Sequence, residues 1–312
     1  MKNLEKIYNS IPLIDIYSLA QISIDKIGND ARDLISKEIQ NKFVSHNTRD
    51  FFSKCQIRTT ISLPKYEFTM HLYHISELNL NMSHLFQSIK QAVLTRKLFK
   101  IHGSIVVQFI CAPHKRYFPT IGNISSKHIN GGFTDITNNE IYITRVEEYP
   151  KVLLHEILHH CKDIHGNFSK QNVQRLKSSF NISDNTILLP NEAVIEFWAT
   201  LLIMKFATIE TKIPYQILYD TELSHSIYLS EKIMKKQGVK EWIETSNSYC
   251  YIVFKTILLA NAEVFLKNYT FPYDDTFITS FLIDKKGSLV RPQYDDSKVI
   301  EDNSLRMMIF SN

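Results

Sequence analysis

Apolar residues recur at helical spacing in two stretches of the first hundred positions. Leu34, Ile35, Ile39 and Phe43 fall on one stripe, and Met82, Leu85, Phe86, Ile89 and Val93 form another. Ser83 stands near the start of the second as a candidate cap. Residues 1–100 therefore read as an N-terminal helical region, with its boundary near Gly103. Beyond it the period changes. "SIVVQFICA" (104–112) is a continuous apolar run with β-branched residues, as a buried strand requires. "FTDITNNEIYITR" (133–145) alternates, with Ile141 and Ile143 opposed to Tyr142 and Thr144, and Asn138-Asn139 supplies a hairpin turn. Glu147-Glu148-Tyr149-Pro150 then reads as a helix start, with acids at the positive end of the dipole and proline in the first turn. Residues 163–190 form a polar connection with room for one short helix. Another helix is expected over 192–207, capped by Asn191, and more through 214–268. The segment 271–312 is mixed, with a turn at Asp284-Lys285-Lys286-Gly287. Its "LRMMIF" suits a strand or a helix equally. The pattern predicts an α+β fold, mostly helical, with a small twisted sheet packed on the helix that begins near 149. The region 101–270 is its centre.

Composition narrows the class. The chain has 312 residues, 44% hydrophobic and 22% charged, with 19 Phe and 15 Tyr, which suits a folded globular protein. The formal charge is only +4. Basic residues are scattered rather than gathered with aromatics, so nucleic-acid binding is not indicated. No apolar run approaches the roughly 18 residues of a membrane span. The first residues lack the apolar core and cleavage site of a secretory signal, so a cytoplasmic, non-secreted location is expected. Cys55, Cys111, Cys161 and Cys250 form no CxxC pair.

Chemistry concentrates in "KVLLHEILHHCKDIHG" (151–166), which holds His155, His159, His160 and His165. His155-Glu156-Ile157-Leu158-His159 has the HExxH spacing. Four residues on a helix put both imidazoles on one face, one turn apart. Two nitrogens so placed can meet one Zn²⁺ at about 2.0–2.1 Å. Glu156 can reach a zinc-activated water, take its proton as general base, and pass it to a leaving amine. The flanking Val152, Leu153, Leu154, Ile157 and Leu158 would bury this helix, and buried imidazoles need partners.

Two residues compete as third ligand. His165 completes HExxHxxxxxH, the metzincin spacing, but that pattern wants glycine at 162, where this chain has lysine. Glu192 lies in "PNEAVIEFWATLLIMKFA" (190–207), a nearly all-apolar helix. Glu192 and Glu196, one turn apart, share a face of it. Burying them unpaired costs several kcal/mol each, so a cation or strong donor should face them.

The NExxxE arrangement resembles the gluzincin metallopeptidases. That resemblance implies Glu192 as the zinc ligand and Glu196 as the partner of the far nitrogen of His155. The stretch from "NGGFTDITNNEIYITRVEEYPKVLLHEILHH" to "NEAVIEFWA" is also similar to zincin metallopeptidases predicted in large DNA viruses of eukaryotes. The likeness spans residues 130–200, about a quarter of the chain. Pro150 and His160-Cys161 depart from the pattern. The resemblance implies a zincin-like fold, Zn²⁺, a peptide or protein substrate, and a place in the host cytoplasm or virion. It further implies that strand 139–145 is the edge that pairs with substrate. His225, Tyr219 and Tyr228 are candidates for stabilising the oxyanion. The expectation is therefore a zinc metallopeptidase with ligands His155, His159 and Glu192. The alternatives are a metzincin-type site using His165, or a non-catalytic zincin-fold binding protein with structural zinc.

Overall fold

The computed structural model describes residues 2–78, 80–164, 166–269, 274–289 and 304–309. Helices α1 (Lys2–Asn9) and α2 (Leu13–Leu19) precede strand β1 (Gln21–Lys26). Helices α3 (Asn29–Glu38) and α4 (His46–Lys54) lead into β2 (Ile57–Leu63) and β3 (Phe68–His74). Helix α5 (Met82–Leu98) crosses to β4 (Ile105–Ile110), and α6 (Ser126–Ile129) precedes β5 (Gly132–Asp135) and β6 (Glu140–Ile143). Helices α7 (Tyr149–Leu158), α8 (Lys170–Phe180), α9 (Asn191–Thr211) and α10 (Tyr215–Gln237) follow. A π-helical turn at Cys250–Phe254 runs into α11 (Lys255–Ala260), then α12 (Ala262–Asn268) and α13 (Asp275–Asp284).

The α+β class holds, and helix predominates in 1–100 as expected, though the region is not helical throughout. Its helices are interleaved with three strands, and these form half of one six-stranded sheet ordered β1-β2-β3-β4-β6-β5. The sheet thus runs across the boundary drawn near Gly103. It is mixed: β3 and β4 pair in parallel, as do β4 and β6, and the outer pairs are antiparallel. A parallel neighbour needs a crossover, and α5 supplies the one from β3 to β4.

Each face of the sheet has its own apolar layer. On one side Ile35, Ile39 and Phe52 from the α3–α4 region pack on Tyr73, Ile110 and Tyr142. On the other, Leu72, Val107, Phe109, Ile141 and Ile143 meet α5, α7 and α9 in the larger core. Helix α7 rests against β5 and β6, with α5 and α9 on its flanks.

Local details refine the sequence reading. Asn81, not Ser83, caps α5, accepting the His84 N–H at 3.0 Å. The hairpin is present, and Asn139 takes the left-handed conformation (φ 55) in its turn. Pro190 precedes α9 as its N-cap, and Asn191 is already helical. The expected turn at 284–287 becomes a 3₁₀ turn at Lys286–Leu289. Within "LRMMIF", Leu305 to Ile309 form neither helix nor strand, and only Ser304 before them makes an isolated antiparallel bridge, to Tyr117. Phe310 lies outside the described residues. No helix among the described residues is long and apolar enough to cross a membrane.

Candidate metal centre

Helix α7 is buried along its whole length, Lys151, His155 and Glu156 included. Its entry residue Glu148 is left-handed (φ 58) and sends its carboxylate to Arg116 rather than to the helix N-terminus. His159 closes the helix with right-handed dihedrals, so the four-residue spacing keeps both imidazoles on one face. Helix α9 packs across α7 and is equally apolar, and it brings Glu192 and Glu196 to that face.

Three donor atoms then converge. His155 Nε2 and Glu192 Oε2 are 3.2 Å apart, His159 Nε2 and Glu192 Oε2 3.5 Å, and the two Nε2 atoms 3.3 Å. Tetrahedral bonds of 2.0–2.1 Å place neighbouring donors about 3.3 Å apart, so this triangle has the size of one face of a zinc tetrahedron. His155, His159 and Glu192 could hold one metal ion. The other nitrogen of His155, Nδ1, lies 2.8 Å from Glu196 Oε2, and Lys151 pairs with the second oxygen of Glu196. Glu156 stands aside, with Oε2 4.0 Å from His159 Nε2. Thr134 on β5 donates to that Oε2 at 2.8 Å.

Charge bookkeeping agrees with the donor set. Glu156, Glu192 and Glu196 carry three negative charges and Lys151 one positive. With neutral imidazoles two negative charges remain, which a divalent cation would balance. Without one, the carboxylates draw protons onto histidine. Burial disfavours a charged His155, but its hydrogen bonds to Glu192 and Glu196 prevail and raise its pKa to about 10. Burial also pushes Glu192 and Glu196 up. The imidazoles beside Glu192 and the Lys151 ammonium beside Glu196 outweigh it, and both carboxyls fall below the usual range. Glu156 responds in the opposite sense: burial dominates and its carboxyl is raised.

The site is tightly enclosed. Side-chain exposure is 7% for His155, 12% for His159 and 9% for Glu192. A cavity of about 20 Å³ borders it, walled by Gly131, Gly132, His155, Glu156, Tyr251 and Met307 among others. That volume holds roughly one water. Tyr251, on the π-helical turn, packs its ring edge-on to His155 at 5.8 Å between centroids. Burial and the neighbouring Glu192 hold its phenol far above the normal range, so it stays protonated.

His155, His159, Glu156, Glu192 and Glu196 thus lie together, while His165 lies outside the described residues. Strand β6, expected as an edge over 139–145, is internal to the sheet, and the edge strand next to it is β5 (132–135). The three oxyanion candidates on α10 are engaged elsewhere or not shown at the site. His225 meets Arg306 O at 2.7 Å, Tyr219 donates to Leu259 O, and the Tyr228 ring lies under Lys232. Sequence reasoning missed Tyr251, Lys151 and Thr134. The one available signal was a lysine inside an apolar helix one turn before His155. No protein-family model, curated protein or solved structure matches the chain.

Proposed function

We propose that the chain is a zinc-dependent metallopeptidase of the zincin type, with His155, His159 and Glu192 as ligands. The triangle of 3.2, 3.3 and 3.5 Å between their donor atoms carries this reading. Zinc in such a site polarises a carbonyl and lowers the pKa of water to about 7. Glu156 sits beside the ligands without joining them and is suited to accept a proton and hand it to the leaving amine. Thr134 fixes the carboxylate that does so. Glu196, held by Lys151, fixes the ring of His155. The free edge of β5 offers main-chain groups to an extended peptide, and Tyr251, which walls the same small cavity and stays protonated, is available to donate to a developing oxyanion.

A second reading, structural zinc in a non-catalytic protein, draws on the near-complete burial of the ligands. One experiment separates the two. Elemental analysis is expected to find one zinc in the parent and in Glu156→Gln, and none in Glu192→Ala. Peptidase activity should fall by about 10²–10⁴-fold in Glu156→Gln, the usual contribution of a general base. A parent without zinc removes the metal reading. Zinc retained by Glu192→Ala and lost from His165→Ala transfers the third ligand to His165. Zinc with no activity on any peptide favours the structural role.

A further inference from the structure

The segment Ser304–Ile309 is held through both its main chain and its apolar side chains. Glu148 accepts the N–H groups of Met307 and Met308 at 3.1 and 2.6 Å, one on each oxygen. Glu222 accepts the Ile309 N–H at 3.1 Å. On the carbonyl side, Lys232 reaches Ser304 O at 3.4 Å, His225 reaches Arg306 O at 2.7 Å, and Lys255 reaches Met307 O at 3.3 Å. Contacts of this kind hold main-chain groups whatever the side chains, along a segment that bends at Met307 and Ile309. Side chains add apolar anchoring: Leu305 and Met308 are fully buried, and Met307 walls the small cavity shared by His155, Glu156 and Tyr251.

The carboxylates that hold the segment do not depend on it. Glu148 is paired with Arg116, and Glu222 with Lys255 and Ser226. Departure of the segment would leave no lone buried charge, the situation that makes breaking a buried ion pair costly. Glu196 is different, because its salt-bridge partners, Lys151 and His155, both belong to the site itself.

We propose that this groove is a main-chain-reading peptide site occupied by the chain's own residues 304–309, and that they plug the approach to the metal centre. The site opens when the segment lifts out, which reconciles a peptidase constellation with ligands so little exposed. The inference deepens the metallopeptidase reading and rests on it for its functional consequence alone.

Native-state hydrogen exchange on the full chain tests the first half. The amides of Met307, Met308 and Ile309 should open at least ten-fold more often than those in the middle of α7 and α9, with little denaturant dependence. Opening of all three sets together, with one denaturant dependence, overturns the proposal. The second half is read by acylation of His159 with diethylpyrocarbonate on chelator-treated protein, followed by mass spectrometry; His155, raised to about 10 without metal, stays protonated and is not a probe. Met308→Pro and Ile309→Pro each delete one captured N–H, and either should speed labelling several-fold. Unchanged labelling in a folded variant overturns the plug. Should both variants unfold together with α7 and α9, the segment is structural and the proposal fails. Neither readout needs zinc, so a failure of the metal reading would be seen separately.

Discussion

Lys151 is the residue whose removal should show most about how the centre is held. Its ammonium is buried with Glu196, whose other oxygen holds His155 Nδ1 at 2.8 Å. Lys151→Met keeps the apolar stem and removes the charge. The carboxylate of Glu196 is then under-compensated in the core, at a cost of about 3–5 kcal/mol. Zinc affinity should weaken by about 10–100-fold, as for other groups that orient a metal-bound histidine. Urea unfolding and chelator competition measure the two effects. Adding Glu196→Gln should restore much of the stability but not the affinity. Unchanged stability in Lys151→Met would sink the argument. At this scale the sequence was informative only where the chemistry is local. His155 and His159 are four residues apart on one helix with Glu156 between them, and Glu192 and Glu196 stood out as acids in an apolar run. Thr134 and Tyr251 carried no such mark, because only tertiary packing brings a strand threonine and a π-helical tyrosine to that helix.

Among the elements, β5 and α7 approach closely enough to need glycine at 132. A Cβ there would come within 2.7 Å of Tyr142 O, 2.9 Å of Val152 Cγ1 and 3.0 Å of Glu156 Oε1. Backbone and helix cannot both stay in place, so Gly132→Ala should push β5 off α7. The expected cost is about 1–3 kcal/mol, as for other overpacked sites. The shift should disturb the Thr134–Glu156 bond, so activity should fall while zinc stoichiometry holds. Thermal unfolding, elemental analysis and peptidase assay together check it; full activity would show that β5 does not set Glu156. The hairpin, β4, α7 and α9 were legible because each carries a local alternation or an unbroken apolar run. The strands of the first hundred residues were not. Phe68, Met70 and Leu72 do alternate, but β2 and β3 are bracketed by helical stripes, and β1 is exposed along its whole length. What makes β3 a central strand is its parallel pairing with β4 across α5, a non-local fact.

For the molecule as a whole, acid should loosen the fold through histidines outside the proposed ligand set. His71 on β3 is held by Thr60 at 2.9 Å, and burial, aided by Arg58, lowers its pKa to about 4. His128 is lowered to about 4 by burial and then by Lys127, Lys236 and Arg145, while its Nδ1 accepts the Ser125 N–H at 2.9 Å. In the unfolded chain both titrate near 6.5. Between about 6.5 and 4 the unfolded state therefore binds more protons, and stability rises with pH. Their contribution is fully present above 6.5 and is lost as pH falls toward 4. His155, raised to about 10, works in a different window: in chelated protein its stabilisation is present below 6.5 and lost as pH climbs toward 10. It adds no slope between 4 and 6.5, where His84, lowered by burial, and the shifted carboxyls also contribute, so the share of His71 and His128 is read from their variants. Urea midpoints of chelated protein at pH 6.5, 5.5 and 4.5 should fall in order, and His71→Asn with His128→Asn should flatten the decline. An unchanged slope in that double variant would place the acid sensitivity elsewhere, in the carboxylates rather than in these two rings.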